Sequence, residues 1–194
     1  MEAIGFDLYM EILHESIAEI QGQAIPVVEE TKVDLPVTAF IPGTWITEND
    51  DKLIAYKSAS ECETIDKLLE LTASWIDRFG ALPPPVQSLV LIMKLKIIAK
   101  TAGFSRITQS KPNIVMETLM NESAFNTLRK GIDPHLQSRL VFKSTGNVST
   151  VTFRGLATLG VDNLLETLID WLTKMASQIA VSYTHLTLPT ILLV

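Results

Sequence analysis

Asp77 and Arg78 are adjacent side chains of opposite charge that could take part in recognition. They stand near the end of a predicted helix, and Gly80 and three prolines separate that helix from the next one. Each charge can meet an opposite charge on a partner, and an arginine can bind a carboxylate through two N–H groups. The alternative is that both side chains only solvate the helix end. From the residues alone this second interpretation is favoured, and binding is only the chemistry that the pair could support.

Other reactive residue types occur without the companions that their chemistry needs. Cys62 is the single cysteine, which excludes an internal disulfide and a thiolate metal cluster, although a helix start would favour its thiolate. His14 has no second histidine one helical turn away, so a solvent-facing role is favoured over metal binding. His135 follows Asp133, and a small enzyme using these two residues is one alternative function, although no nucleophile motif accompanies them.

The composition limits the function further. A chain of 194 residues is long enough for one domain with a substantial core and an attached arm. With a net charge of -6, a nonspecific DNA-binding surface is not the default expectation. The sequence has no G-x-x-x-x-G-K-[ST] loop and no acidic box after an apolar strand, so we expect neither ATP hydrolysis nor a bound cofactor or metal here. We expect no membrane span and no signal peptide, and hence a cytoplasmic protein.

The elements that would position the charged pair are mainly helical. Helical spacing of apolar residues predicts an amphipathic arm helix over 5–22, followed by a linker. Two short extended pieces are expected over 32–40, because Pro36 prevents one continuous strand. Thr47 predicts the cap of a short helix that starts at residue 48. The apolar residues expected to face inward from it are Leu53, Ile54 and Tyr56.

The next predicted helix carries Asp77 and Arg78 at its end. Ser60 and Glu63 have the spacing of a capping box at its start. Asp77 and Arg78 lie beside the apolar stripe and are expected to point outward. The stripe consists of Ile65, Leu68, Leu69, Thr72, Trp75, Ile76 and Phe79. A central, buried helix is expected over 86–99.

The second half of the chain predicts a small sheet packed with helices. Strands are expected over 104–108 and 113–117 around a Ser-Lys-Pro turn, and over 139–143 and 149–154 around a Gly-Asn turn. A short helix over 122–128 and a last amphipathic helix over 161–175 complete the prediction. A helical half followed by a small, mainly antiparallel sheet makes an α+β fold.

Residues 73–86, ASWIDRFGALPPPV, resemble the IDRFG-x-LP-x-PV signature in the C-terminal domain of bacterial transcription-repair coupling factors. Three further segments match that family in the same order, namely GFDLYMEIL over 5–13, the DLP and AFIP runs within 33–42, and YKSAS over 56–60. The resemblance implies an arm helix and linker over 1–30 and a C-terminal regulatory domain over 31–180.

The resemblance also implies a function for the longer parent protein. Such a parent is a DNA translocase that uses ATP and Mg²⁺, contacts double-stranded DNA, displaces stalled RNA polymerase and recruits the damage-recognition subunit of nucleotide excision repair. In the family, this domain closes over an N-terminal domain of the same chain that resembles the damage-loading subunit, and so restrains the parent. The family's docking charges carry over to Asp77 and Arg78. Ser74 departs from the family, which often has a glutamate there.

Two further features complete the prediction. Trp45 lies in a predicted loop, where it is either an interface anchor or part of the core. A free-standing interaction module of a repair or transcription complex is therefore the alternative function. Residues 181–194 resemble the translation of a sequencing adaptor and are expected not to be native.

Overall fold

The computed structural model describes residues 25–145 and 148–186, with side chains as far as residue 179, so the predicted arm helix lies outside the described residues. The described part has the α+β architecture that the sequence predicts. In chain order its elements are β1 (Lys32–Asp34), α1 (Asn49–Ser60), α2 (Ile65–Phe79), α3 (Pro84–Thr101), β2 (Phe104–Ser110), β3 (Asn113–Thr118), α4 (Glu122–Arg129), α5 (Pro134–Gln137), β4 (Leu140–Thr145), β5 (Val148–Phe153), a short 3₁₀ turn (Leu156–Thr158) and α6 (Val161–Leu186).

Five strands form one sheet in the order β1-β2-β3-β5-β4. β1 runs parallel to β2, and every other neighbouring pair is antiparallel. The predicted antiparallel pairings of β2 with β3 and of β4 with β5 are confirmed, while the Gly-Asn turn at 146–147 lies outside the described residues. Only the first part of the predicted extended segment over 32–40 pairs with the sheet. An ion pair joins it to its neighbour, since Arg106 Nη2 lies 2.6 Å from Asp34 Oδ2.

The main core lies between the sheet and α3, α4 and α6. Strand β3 alternates between half-buried and buried residues, as expected for a strand with one face on a core. The residues that fill this core from the sheet and from α6 include Ile107, Ile114, Met116, Val151, Phe153, Leu165, Leu168 and Leu172. α6 continues beyond Met175, where the sequence analysis ended it, to Leu186.

A second, smaller core positions the end of α2. It lies between the 39–46 segment, α1, α2 and the start of α3, and its buried members are Ile41, Ile46, Ala55, Ala59, Trp75, Val86 and Leu89. Helix α3 therefore supplies buried residues to both cores, in agreement with the prediction of a central helix over 86–99.

The predicted inward face of α1 is wrong. Ala55 and Ala59 face the second core, whereas Leu53 and Ile54 are 70% and 58% exposed. Two alanines four residues apart allow a helix to approach its neighbours closely, which the larger side chains would prevent. The predicted cap is also wrong, because Glu48 stands at the N-cap and no side chain caps this helix.

The start and the stripe of α2 also differ from the prediction. Ser60 ends α1, and Thr64 caps α2 by accepting a hydrogen bond from the Lys67 backbone N–H at 3.3 Å. Leu68 and Trp75 are buried as expected, but Leu69 and Ile76 are 58% and 47% exposed. The apolar stripe is wider than the surface that the second core covers.

Candidate docking face

Asp77 and Arg78 lie in the last turn of α2 and are both exposed, as predicted. The helix ends because Gly80 adopts a φ of 85°, a region that side chains with a Cβ rarely enter. The Gly80 N–H still donates to the Ile76 carbonyl at 2.9 Å, which closes the last turn. The two charged side chains therefore stand on a helix end with a defined stop, not on a fraying terminus.

Arg78 forms an ion pair with Asp51, in the first turn of α1. Its Nη2 atom lies 2.9 Å from Oδ1 and 3.0 Å from Oδ2 of that carboxylate. The Arg78 side chain is 59% exposed and the Asp51 side chain 30%. No sequence pattern predicts Asp51 as the partner of Arg78. The two residues are 27 positions apart and meet only because α1 packs beside α2, so no local spacing indicates the contact.

The Arg78 guanidinium packs on a cluster of aromatic side chains. The guanidinium carbon lies 4.9 Å from the centroid of the Phe79 ring, within the range of a cation–π contact. Phe79 packs on Trp45, with ring centroids 5.5 Å apart, and Trp45 meets the edge of the buried Trp75 at 6.2 Å. Trp45 is thus half-buried in the second core, and its Nε1–H has no hydrogen-bond partner among the described residues.

Asp77 points away from Arg78. Successive residues of an α-helix are about 100° apart around its axis, so Arg78 faces α1 and Asp77 faces solvent on another side. Asp77 makes no recorded ion pair or hydrogen bond in the described part of the chain, and Ser74, one turn earlier, is exposed. The two charges are opposite in sign and face different directions, so a single group on a partner could not bind both. A partner that used both would contact Asp77 and Arg78 separately.

Metal-binding side chains do not cluster among the described residues. His135 and Asp133 are both exposed at the short helix α5, and within the described ranges no group of three or more histidine, cysteine, aspartate or glutamate residues is placed to hold a metal ion. The described glycines with positive φ are Gly80, Gly103 and Gly155, which stand singly at element junctions.

Cys62 is also not an activated thiol. Its Sγ–H donates to the Ser58 carbonyl at 3.3 Å, in the connection between α1 and α2. Burial raises the pKa of this thiol above its ordinary value of 9.0, while Lys67 lowers it and Glu61 raises it by smaller amounts. Desolvation thus outweighs any effect of the helix start, and the thiolate of Cys62 is not favoured. Within the described ranges, no helix combines the length and the apolarity needed to cross a bilayer.

Comparisons with known proteins agree with one another. Residues 35–127 match the family model described as the TRCF domain. The chain is 33% identical over 125 residues to the transcription-repair-coupling factor of Bacillus subtilis (strain 168), a match that covers 64% of this chain and 10% of that protein. It is 31% identical over 122 residues to the factor of Escherichia coli (strain K12), covering 60% of this chain and 11% of that protein. The chain thus spans about a tenth of the length of these relatives.

A solved structure has the same fold. It is described as the crystal structure of the C-terminal domain of transcription-repair coupling factor. The TM-score is 0.66 at 17% sequence identity, over 80% of this chain and 97% of that one. This likeness supports the α+β architecture described above.

Proposed function

The chain carries the TRCF domain of transcription-repair coupling factors, and from this premise we propose that it acts as an autoinhibitory clamp within a longer bacterial parent protein. The clamp docks on the parent's N-terminal damage-loader-like domain through the end of α2. Docking restrains the DNA translocase and covers the surface that recruits the excision-repair damage-recognition subunit. A stalled RNA polymerase on double-stranded DNA relieves it, in the bacterial cytoplasm. We assign ATP and Mg²⁺ binding to other parts of the parent.

The observation that carries this proposal is the exposed charge at the end of α2. Asp77 has no partner among the described residues, and Arg78 presents a guanidinium that is 59% exposed although one nitrogen is paired. An acceptor for a cation and a donor for a carboxylate thus stand about 100° apart on one helix end. That arrangement fits a partner surface carrying both signs of charge. Ser74 offers no carboxylate, so docking here depends on Asp77 and Arg78 alone within this turn.

The proposal is tested by binding of this chain to the isolated N-terminal domain of its parent, measured by isothermal titration calorimetry. The double charge reversal D77K/R78E should raise Kd by about thirtyfold or more, since removing one partner of a desolvated pair costs about 2–5 kcal/mol. Raising the salt concentration should weaken binding of the unchanged chain but not of the reversed one.

A matched control comes from the same helix. Asp66 and Lys67 are also adjacent, opposite in charge and exposed, and they lie about 16 Å earlier along the axis. The reversal D66K/K67E should leave Kd unchanged. Its thermal unfolding must be measured as well, because Asp66 is in the first turn, where an acidic residue stabilises the helix by about 0.3–1 kcal/mol. Equal Kd values for the unchanged chain and D77K/R78E would refute docking through this helix end.

A further inference from the structure

We infer that Asp51 is a positioning residue of this docking face: its carboxylate holds the Arg78 guanidinium in the orientation in which a partner's carboxylate binds. The inference rests on the proposed function. Asp51 belongs to the first turn of α1, outside the IDRF run that carries the charged pair. The ion pair with Arg78 gives it a role at the docking face.

The ion pair leaves most of the guanidinium available. Both recorded hydrogen bonds come from Nη2 and end on the two oxygens of the same Asp51 carboxylate. Arginine has five N–H donors, of which three are on Nε and Nη1. These three have no hydrogen-bond partner among the described residues. Arg78 can bind a second carboxylate through these groups without releasing the first.

Two contacts from different directions fix the plane of the guanidinium. Asp51 holds one edge, and the Phe79 ring supports the face, with the guanidinium carbon 4.9 Å from the ring centroid. Phe79 is itself held by Trp45 and, through it, by the buried Trp75. Asp51 is anchored by α1, whose Ala55 and Ala59 pack into the same core. The guanidinium is therefore attached to a packed unit.

The energetic consequence has a definite sign. A free arginine loses side-chain entropy when a partner fixes it, and a side chain that is already ordered loses less. The Asp51 charge also repels an incoming carboxylate, but that carboxylate would bind at the Arg78 guanidinium, which is 59% exposed, and water there screens the repulsion. Ordering outweighs repulsion, so loss of the Asp51 charge should weaken docking by about three- to tenfold.

The first test needs no partner. In the unbound chain, ¹H–¹⁵N spectra should show a resolved, ordered Arg78 Nη2–H signal, because the Asp51 ion pair hinders rotation of that group, and D51N should abolish it. The matched variant D50N removes the neighbouring exposed charge, which has no recorded ion pair among the described residues, and should leave the signal unchanged. A disordered Arg78 signal in the unchanged chain would overturn the inference, as would a signal that survives in D51N.

The second test is a double-mutant cycle of D51N and R78M, read as binding to the parent's N-terminal domain. D51N should weaken binding about three- to tenfold in the unchanged chain and have no effect in the R78M background. Tighter binding by D51N, no change, or an equal loss with R78M would overturn positioning by Asp51. Unchanged binding by R78M itself would instead contradict the proposed docking role of Arg78, so the two failures are distinguishable.

Discussion

The ring centroids of Trp45 and Phe79 lie 5.5 Å apart, with 60° between the ring planes. This contact joins the loop over 39–46 to the end of α2. Trp45 therefore belongs to the support of the docking face, beneath Arg78. That Trp45 anchors an interface stays a prediction. Its packing on Phe79 and Trp75 already gives Trp45 a structural role, with or without a partner protein.

Replacement of Trp45 should separate these two roles. Trp45→Ala should lower the free energy of unfolding by about 2–4 kcal/mol, because it removes the contacts with Phe79 and Trp75. Trp45→Phe keeps an aromatic ring and removes a buried N–H that has no partner in the described part of the chain, so it should cost less than about 1 kcal/mol. Urea unfolding measures both. A stable Trp45→Ala variant that no longer binds the partner domain would favour the interface anchor.

A buried hydroxyl joins the start of β2 to the end of β3. Thr118 Oγ1–H donates to the Gly103 carbonyl at 2.6 Å, and its oxygen accepts from the Met120 N–H at 3.1 Å. The isosteric change T118V should cost about 1–3 kcal/mol in unfolding free energy, since it leaves two buried backbone groups unpaired.

The control for T118V is another strand threonine with a weaker bond. Thr108 is half-buried, and its hydroxyl donates to the Val115 carbonyl at 3.3 Å. T108V should change the unfolding free energy by less than about 1 kcal/mol, because valine also suits a strand. Denaturant unfolding of T118V and T108V measures the loss of unfolding free energy in each. Equal losses would contradict the role assigned to Thr118.

The raised pKa of Cys62 predicts low thiol reactivity in the folded chain. As the single cysteine, it reports without ambiguity on alkylation by iodoacetamide. The folded chain should reach its half-maximal rate at a higher pH than the urea-unfolded chain, whose thiol has the ordinary pKa near 9.0. A folded chain that reacts at lower pH than the unfolded one would show an activated thiolate instead.

The same shift predicts a pH dependence of stability. Because the folded state keeps its thiol proton to higher pH, the stabilisation is fully present below the unfolded pKa of 9.0 and is lost as pH rises through the folded pKa. The variant C62S lacks this titration. The difference in unfolding free energy between the unchanged chain and C62S should therefore be constant below pH 9 and fall above it.

The order and type of most described elements could be predicted from the sequence, because they depend on local patterns. The turns at Ser-Lys-Pro and Gly-Asn, the stop at Gly80 and the apolar period of α6 each act within a few residues. The likeness to transcription-repair coupling factors was visible for the same reason, since the IDRFG run is contiguous in the chain.

Only the tertiary structure decided which faces of α1 and α2 are buried and which residue pairs with Arg78. Leu53 and Leu69 fit an inward stripe by spacing, yet the close approach of α1 through Ala55 and Ala59 leaves them exposed. The Asp51 contact depends on the same helix packing across 27 residues, and an apolar period contains no information on which neighbour a helix meets. The sequence by itself determined that two charges stand exposed at a helix end. The packing of α1 against α2 determined that Arg78 pairs with Asp51, whereas Asp77 has no partner among the described residues.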